Sequence, residues 1–112
     1  MKKTFFALSA LLLFAACGAK TELAIKNGEA SEDKISKIVW AEGDANWGDE
    51  EVGINSVSSS KEVNETTGLI TCGIFNGTDY DEATVVSEET KSDVVSIDEG
   101  SSNVVTITVV KP

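Results

Sequence analysis

The chain has 112 residues, of which 9 are lysines and 19 are acidic, and its formal net charge is −10. Phosphate binding needs a basic surface, so this charge excludes nucleic acid as a partner. Histidine is absent, which removes the commonest general base and the preferred ligand of transition metals. We therefore predict that the protein is not an enzyme and that it has no resident cofactor.

The first residues predict an export signal. Two lysines, Lys2 and Lys3, precede an apolar run from Phe5 to Ala16 that only Ser9 interrupts. A helix of this length spans about 18 Å, well short of the roughly 30 Å hydrocarbon core of a bilayer. Residues 1–16 are therefore predicted to be a cleaved signal peptide and not a membrane-spanning helix.

The apolar run ends in Leu13-Phe14-Ala15-Ala16-Cys17-Gly18, which resembles the lipobox of bacterial lipoproteins. In that family a diacylglyceryl group is attached to the cysteine sulfur, the signal is cut just before this cysteine, and its new amino group is usually acylated. Phe14 stands where the family usually has leucine. The resemblance implies that Cys17 is lipidated and anchors the protein in a membrane of the cell envelope. The alternative is an ordinary secretory signal followed by a free cysteine.

The residues after Cys17 bear on which membrane this is. They are Gly18-Ala19-Lys20 and lack the aspartate that retains lipoproteins in the inner membrane, which implies the outer membrane if the host is diderm. Without the signal, 7 lysines and 19 acidic residues remain, a net charge of −12. Residues 17–33 are predicted to be the lipidated N-terminus and a tether, and residues 34–112 a single domain. Once Cys17 is acylated, Cys72 has no disulfide partner, so packing alone must stabilise the domain.

Short segments of alternating apolar residues, separated by turn residues, predict an all-β domain. In chain order the predicted strands cover residues 23–26, 35–42, 52–54, 61–66, 69–75, 80–87, 93–97 and 104–110. The pair Asn76-Gly77 predicts a two-residue type I′ hairpin turn. The spacing favours an immunoglobulin-like antiparallel β-sandwich of about seven strands, and a small β-barrel is the alternative.

Parts of this region resemble small exported bacterial β-sandwich modules. The first similar part is Ile35, Ile38 and Trp40 followed by Ala45-Asn46-Trp47-Gly48-Asp49-Glu50. The later parts are Gly77-Thr78-Asp79-Tyr80-Asp81 and a strand–Gly-Ser–strand pattern from Val95 to Val109. The resemblance covers residues 34–110 and implies a sandwich. It implies no activity, because such modules share no common chemistry.

The acidic loop from Gly43 to Glu51 is the first candidate site. Its Asp44, Asn46, Asp49 and Glu50 offer the oxygen ligands that calcium prefers. An EF-hand needs glycine at its sixth position and glutamate at its twelfth, but a count from Asp44 finds Asp49 and Asn55 there. A generic calcium site and a solvated acidic loop remain, and the solvated loop is the favoured interpretation.

A second acidic cluster is Asp79-Tyr80-Asp81-Glu82. Paired carboxylates serve glycoside hydrolysis, but so small a domain has little room for a substrate cleft. Solvent-facing charges that protect an edge strand explain the cluster without any activity, and this is the favoured interpretation.

Aromatic residues complete the candidate binding surface, which consists of Trp47, Asp44, Asn46 and Tyr80. Trp40 and Cys72 lie within apolar strands and are predicted to be buried. The leading hypothesis is a membrane-tethered, non-enzymatic binding or structural component of the cell envelope whose partner is an unknown protein or glycan. The alternative is a calcium-stabilised surface adhesion module.

Overall fold

The computed structural model describes residues 19–112; the predicted signal peptide and Cys17 lie outside the described residues. Residues 19–112 contain nine strands and one 3-10 turn. In chain order the strands are β1 (Glu22–Asn27), β2 (Ser36–Trp40), β3 (Ala45–Asn46), β4 (Lys61–Glu62), β5 (Thr67–Phe75), β6 (Tyr80–Glu82), β7 (Thr84–Ser87), β8 (Val94–Ser96) and β9 (Ser102–Val110), and the turn covers Ala41–Gly43. In this part of the chain no helix has the length and hydropathy of a membrane span.

The strands form two sheets that pack face to face. One sheet has the order β4-β1-β9-β7, and the other has the order β3-β2-β5-β6, with β8 paired to the N-terminal part of β5. A single cluster of buried apolar side chains joins the inner faces of both sheets. The predicted β-sandwich is therefore confirmed, and the small barrel is wrong because the two sheets remain separate and open.

The pairing of β1 with β9 departs from the predicted antiparallel arrangement. These strands run parallel through six residue pairs, from Glu22 opposite Ser102 to Asn27 opposite Ile107. Parallel pairing is possible because the two strands lie far apart in the sequence and need no hairpin connection. Since β1 is part of this sheet, the sandwich begins at Glu22 rather than at residue 34, and the predicted tether shortens accordingly.

The core forms from side chains at alternate positions of the central strands. Ile70, Cys72 and Ile74 of β5 are 1%, 3% and 4% exposed, so the predicted shared face of these residues is confirmed. On β9 the buried face consists of Val105, Ile107 and Val109, also as predicted. Full burial of a large apolar side chain contributes about 1.5–3 kcal/mol, and the cysteine of residues 19–112, Cys72, forms no disulfide.

The predicted strand 80–87 is divided between the two sheets. Its first part, β6, pairs with β5, and its second part, β7, pairs with β9. Between them lies Ala83, which is 7% exposed and whose N–H donates to the Cys72 carbonyl over 3.0 Å. A small buried residue at this position lets the chain cross from one sheet to the other at the edge of the sandwich.

The connection between β5 and β6 is a four-residue loop, so the predicted two-residue type I′ turn is wrong. Phe75 pairs with Tyr80, and Asn76 Oδ1 accepts hydrogen bonds of 2.9 Å from the N–H groups of Thr78 and Asp79. A type I′ turn needs positive φ at both central residues. Here Gly77 has a φ of 104° and Asn76 is not in the positive-φ region, because its side chain serves as the acceptor of the loop.

Several other predicted strands are shorter in the structure: 61–66 is reduced to Lys61–Glu62 and 93–97 to Val94–Ser96. Residues 52–54 contribute one bridge, between Val52 and Ile35. The strand predicted to end at Glu42 ends at Trp40, because the next three residues have φ values of 52°, 59° and 118°. This turn lies directly over Gly68, where an added Cβ would be 2.6 Å from the Cβ of Ala41.

The sandwich has two distinct ends. At the end named here the Thr21 end, the Thr21 carbonyl accepts from the N–H of Val63, and Thr21 Oγ1 accepts from the N–H of Gly100. The Asp44 loop and the start of β5 lie at the same end, because Asn64 and Glu65, which follow Val63 and lead into β5, donate their N–H groups to Asp44. The opposite end, named the Asn76 end, carries the loop 76–79.

Candidate functional site

Asp44 holds two segments of the Thr21 end together. Its Oδ2 accepts hydrogen bonds of 2.9 Å from the N–H groups of Asn64 and Glu65, and its Oδ1 accepts from Asn64 Nδ2 over 3.2 Å. Partial burial acts to raise the pKa of Asp44, but these hydrogen bonds outweigh it and hold the pKa below its ordinary value. Its carboxylate therefore links the turn after β2 to the segment before β5.

Glu50 and Asn46 have comparable roles in the same loop. Glu50 accepts hydrogen bonds of 2.7 Å from the hydroxyl and the N–H of Ser59, and these bonds lower its pKa. Asn46 Oδ1 accepts from the N–H of Gly48 over 2.7 Å. Asn46 thus accepts from a donor within the loop, whereas Glu50 ties the loop to Ser59.

Asp49 forms an ion pair with Lys37. The hydrogen bond between them lowers the pKa of Asp49 and raises the pKa of Lys37. The four calcium candidates Asp44, Asn46, Asp49 and Glu50 therefore have separate partners and do not converge. Among residues 19–112 no group of three or more acidic or thiol side chains has a geometry suited to a metal ion. The loop is a hydrogen-bonded structural element.

Trp47 is buried and does not form part of an outer binding surface. Only 4% of the residue is exposed, and its Nε1 donates to the Ser59 carbonyl over 2.8 Å. The short pairing of β3 with β2 reverses the chain, and the N–H of Trp47 then donates to the Ile38 carbonyl. Trp47 packs in the core cluster, so the expectation that it contacts a partner is wrong.

Tyr80 belongs to an exposed aromatic pair on the outer face of the five-stranded sheet. Its ring lies 5.2 Å from that of Phe75, centroid to centroid, at an interplanar angle of 52°. Phe75 is 48% exposed. Gly73 makes room beneath Tyr80, since a Cβ on Gly73 would be 3.2 Å from the Cβ of Tyr80. This pair, together with Lys37, is named the Phe75–Tyr80 patch.

A bulge in β2 places Lys37 at the patch. Two residues of β2 lie between the pairs Ser36–Gly73 and Val39–Thr71, where β5 has only one. Lys37 in the bulge has a φ of 55°, and bulges of this kind change the direction of a side chain. The Lys37 ammonium lies 5.1 Å from the centroid of Tyr80, a cation–π contact.

The second acidic cluster surrounds Tyr80. Asp79 Oδ1 accepts from the N–H of Tyr80 over 2.8 Å, and Asp81 Oδ2 accepts from Asn76 Nδ2 over 3.0 Å. Lys37 lies between this cluster and Asp49, so it connects two acidic segments that are distant in the sequence. The predicted surface residues Asp44 and Tyr80, in contrast, lie at opposite ends of the sandwich.

Two open grooves flank these features. The groove beside the patch has a volume of about 440 Å³, and its lining includes Lys37, Thr71, Gly73, Tyr80, Asp81 and Glu82. A larger hollow of about 620 Å³ lies at the Thr21 end, and its lining includes Ala41, Glu42, Asp44, Glu65, Gly68 and Val94. Both are surface depressions open to solvent.

Cys72 is buried, as predicted, at 3% exposure. Burial, with a contribution from the charge of Glu82, raises the pKa of the thiol to about 12. The thiolate is the reactive form of cysteine, so this thiol is inert at neutral pH.

Phe75 was missed by the sequence analysis, although a signal for it exists. The buried positions of β5 are Ile70, Cys72 and Ile74, and side chains alternate between the faces of a strand. Phe75 must therefore face outward, and an outward aromatic residue next to an acidic loop marks a candidate contact surface.

No protein-family model, curated protein or solved structure matches the chain. Its function therefore has to be inferred from its own residues.

The hydrogen bonds of Asp44 predict a loss of stability in acid. The pKa of its carboxyl is lowered in the folded state, so its contribution is complete above about pH 4, the unfolded value, and is lost as the pH falls through the folded value. We expect Asp44→Asn to lower the free energy of unfolding at pH 7 by about 1 kcal/mol. In this variant the free energy of unfolding should also fall less steeply than in the wild type as the pH drops below 4. Urea unfolding at several pH values measures both effects.

The matched control is Glu29→Gln, an exposed carboxyl in the turn after β1. This variant should keep the wild-type stability at pH 7. Equal losses in the two variants would show that net charge, and not the Asp44 hydrogen bonds, sets the stability.

The separate partners of the four candidate ligands predict that calcium does not stabilise the domain. A specific site raises the unfolding midpoint as the ligand concentration increases. We expect the same midpoint in millimolar calcium and in chelator when sodium chloride keeps the ionic strength equal. A midpoint that rises with calcium but not with matched sodium would restore the calcium site.

Proposed function

We propose that the protein is a lipid-anchored, non-enzymatic binding or structural component of a bacterial cell envelope, located at the outer membrane in a diderm host. Its contact surface is the Phe75–Tyr80 patch. The observation that carries the proposal is the 48% exposure of Phe75, which lies in tilted contact with Tyr80 on a strongly acidic domain. Exposed aromatic residues are typical anchors of protein interfaces.

The lipid anchor is supported by the sequence before the domain. The apolar run ends directly at Cys17, and only residues 18–21 separate this cysteine from β1. Two or three acyl chains hold a protein on a membrane far more firmly than one chain does. With a net charge of −12 over residues 17–112, the protein is not expected to bind an anionic membrane by electrostatic attraction.

A non-enzymatic role is supported by the chemistry of the described residues. The groove beside the patch and the hollow at the Thr21 end are open depressions, whereas small-molecule sites enclose most of their ligand. The carboxyl groups with shifted pKa values, Asp44, Asp49 and Glu50, are all shifted downward. A general acid needs the opposite shift.

The charges around the patch favour a basic protein as the partner. Asp79 adjoins Tyr80, Glu82 lies on the same face of β6 as Tyr80, and Lys37 already contacts the Tyr80 ring as a cation. A lysine or arginine of a partner offers an aliphatic stem for Phe75 and a cationic end for the carboxylates of β6. Neutral glycans lack the charge that this surface complements.

Anchorage is tested by replacing the two cysteines separately. In cells given labelled palmitate, we expect the wild type and Cys72→Ala to incorporate the label and to sediment with membranes. Cys17→Ser should lose both properties, because it lacks the acceptor sulfur. Label on Cys17→Ser, or none on the wild type, would contradict the lipid anchor.

The contact surface is tested with defined probes on the lipidated protein in nanodiscs. A peptide of alternating lysine and leucine should bind, and Phe75→Ala should weaken this binding roughly tenfold, as loss of a central interface anchor does. The matched control is Val104→Ala, an exposed valine on the other sheet, which should bind like the wild type. Equal weakening in both variants would reject the patch. If peptidoglycan fragments bind and the peptide does not, the partner is a glycan and not a basic protein.

A further inference from the structure

We infer that the domain is held upright on its membrane, with the Thr21 end facing the lipid surface and the Asn76 end pointing away. The inference rests on the proposed lipidation of Cys17. Thr21 is four residues beyond Cys17, so a fully extended linker places it within about 14 Å of the anchored sulfur. The attachment point of the domain is therefore confined to a thin layer above the bilayer.

Thr21 is firmly integrated into the domain. It is 9% exposed, its hydroxyl oxygen accepts from the N–H of Gly100 over 2.8 Å, and its carbonyl accepts from the N–H of Val63 over 2.9 Å. The next residue, Glu22, donates its N–H to the Ser101 carbonyl over 2.9 Å. These bonds end the linker at residue 21, so the Thr21 end cannot move away from the membrane by unzipping β1.

The long strands give the distance between the two ends. β5 runs from Thr67 at the Thr21 end to Phe75 at the Asn76 end, eight steps of about 3.3 Å, or about 26 Å in total. β9 has the same length and also starts at the Thr21 end, beside Glu22. The Phe75–Tyr80 patch is thus one strand length farther from the anchor than Thr21 is.

Charge favours the upright orientation over one in which the domain lies flat. Electrostatic repulsion from anionic headgroups is screened over about 10 Å. Upright, the domain brings the acids of the Thr21 end into this layer: Glu62, Asp98 and Glu99, together with Glu42, Asp44 and Glu65 of the Asp44 loop and the segment before β5. Lying flat would add the acids along a whole side, such as Glu88 and Glu89 beside β7. The orientation with fewer charges near the surface has the lower free energy.

The orientation restricts the partner. The patch faces away from the anchoring bilayer, so its partner approaches from the opposite side: a soluble protein, or one held by another layer of the envelope. The larger hollow at the Thr21 end faces the anchoring membrane, so large partners have no access to it.

The test uses single engineered cysteines on the full lipidated protein. Glu99→Cys labels the Thr21 end, Thr106→Cys the middle of β9, and Thr78→Cys the Asn76 end. The native Cys72 does not interfere, since it is buried and its pKa is about 12. Each variant carries a thiol-linked fluorophore and is reconstituted into vesicles of phosphatidylcholine and phosphatidylglycerol with nitroxide-labelled headgroups.

Quenching by the nitroxide lipids should fall in the order Glu99→Cys, Thr106→Cys, Thr78→Cys. We expect roughly threefold weaker quenching at Thr78→Cys than at Glu99→Cys, because the strand rise separates the two sites by about 26 Å or more. Equal quenching at these two sites, or strongest quenching at Thr106→Cys, would overturn the upright orientation. Flotation with the vesicles is measured first: protein that fails to float overturns the lipid anchor itself, and the orientation with it.

Discussion

Contact between the inner faces of the two sheets is the interaction on which the remaining structure depends. Ile70 on β5 and Ile107 on β9 are 1% and 0% exposed and belong to one buried cluster. With Cys72 as the only cysteine in the described part of the chain, this apolar contact must offset the conformational entropy that folding removes. The loops that carry the acidic residues are fixed only because the strands that they connect are held in this way.

The core was predictable because apolar residues occupy every second position along β5 and β9, and this alternation is visible in the sequence. The chain crossing at Ala83 left no such trace, because it depends on which sheet the following residues join. The burial of Trp47 was equally hidden: it results from a two-residue strand pairing and from an acceptor, the Ser59 carbonyl, 12 residues away. The carboxylates of Asp44 and Glu50 accept hydrogen bonds from the backbone instead of binding a metal ion. Residue type alone does not determine which of these two roles a carboxylate has.

The lengths of the strands limit where a strand of another copy could pair with this open sandwich. The nine-residue strands β5 and β9 lie inside their sheets, whereas the strands at the edges, β3, β4, β6 and β7, have two to four residues. The free edge of β7 is also occupied at Ser87, whose N–H donates to the Ser92 carbonyl and whose carbonyl accepts from the N–H of Lys91. Short, capped edges and a high negative charge leave few places where another strand can pair.

The parallel pairing of β1 with β9 has a mechanical consequence. If the domain is held through its N-terminus while a partner pulls on the Asn76 end, the force enters β1 along the axis of the strand. The hydrogen bonds to β9 are oriented across that axis, and they extend over six residue pairs. The load is then shared among these bonds in shear, and they do not open one after another as they would in a peeled hairpin.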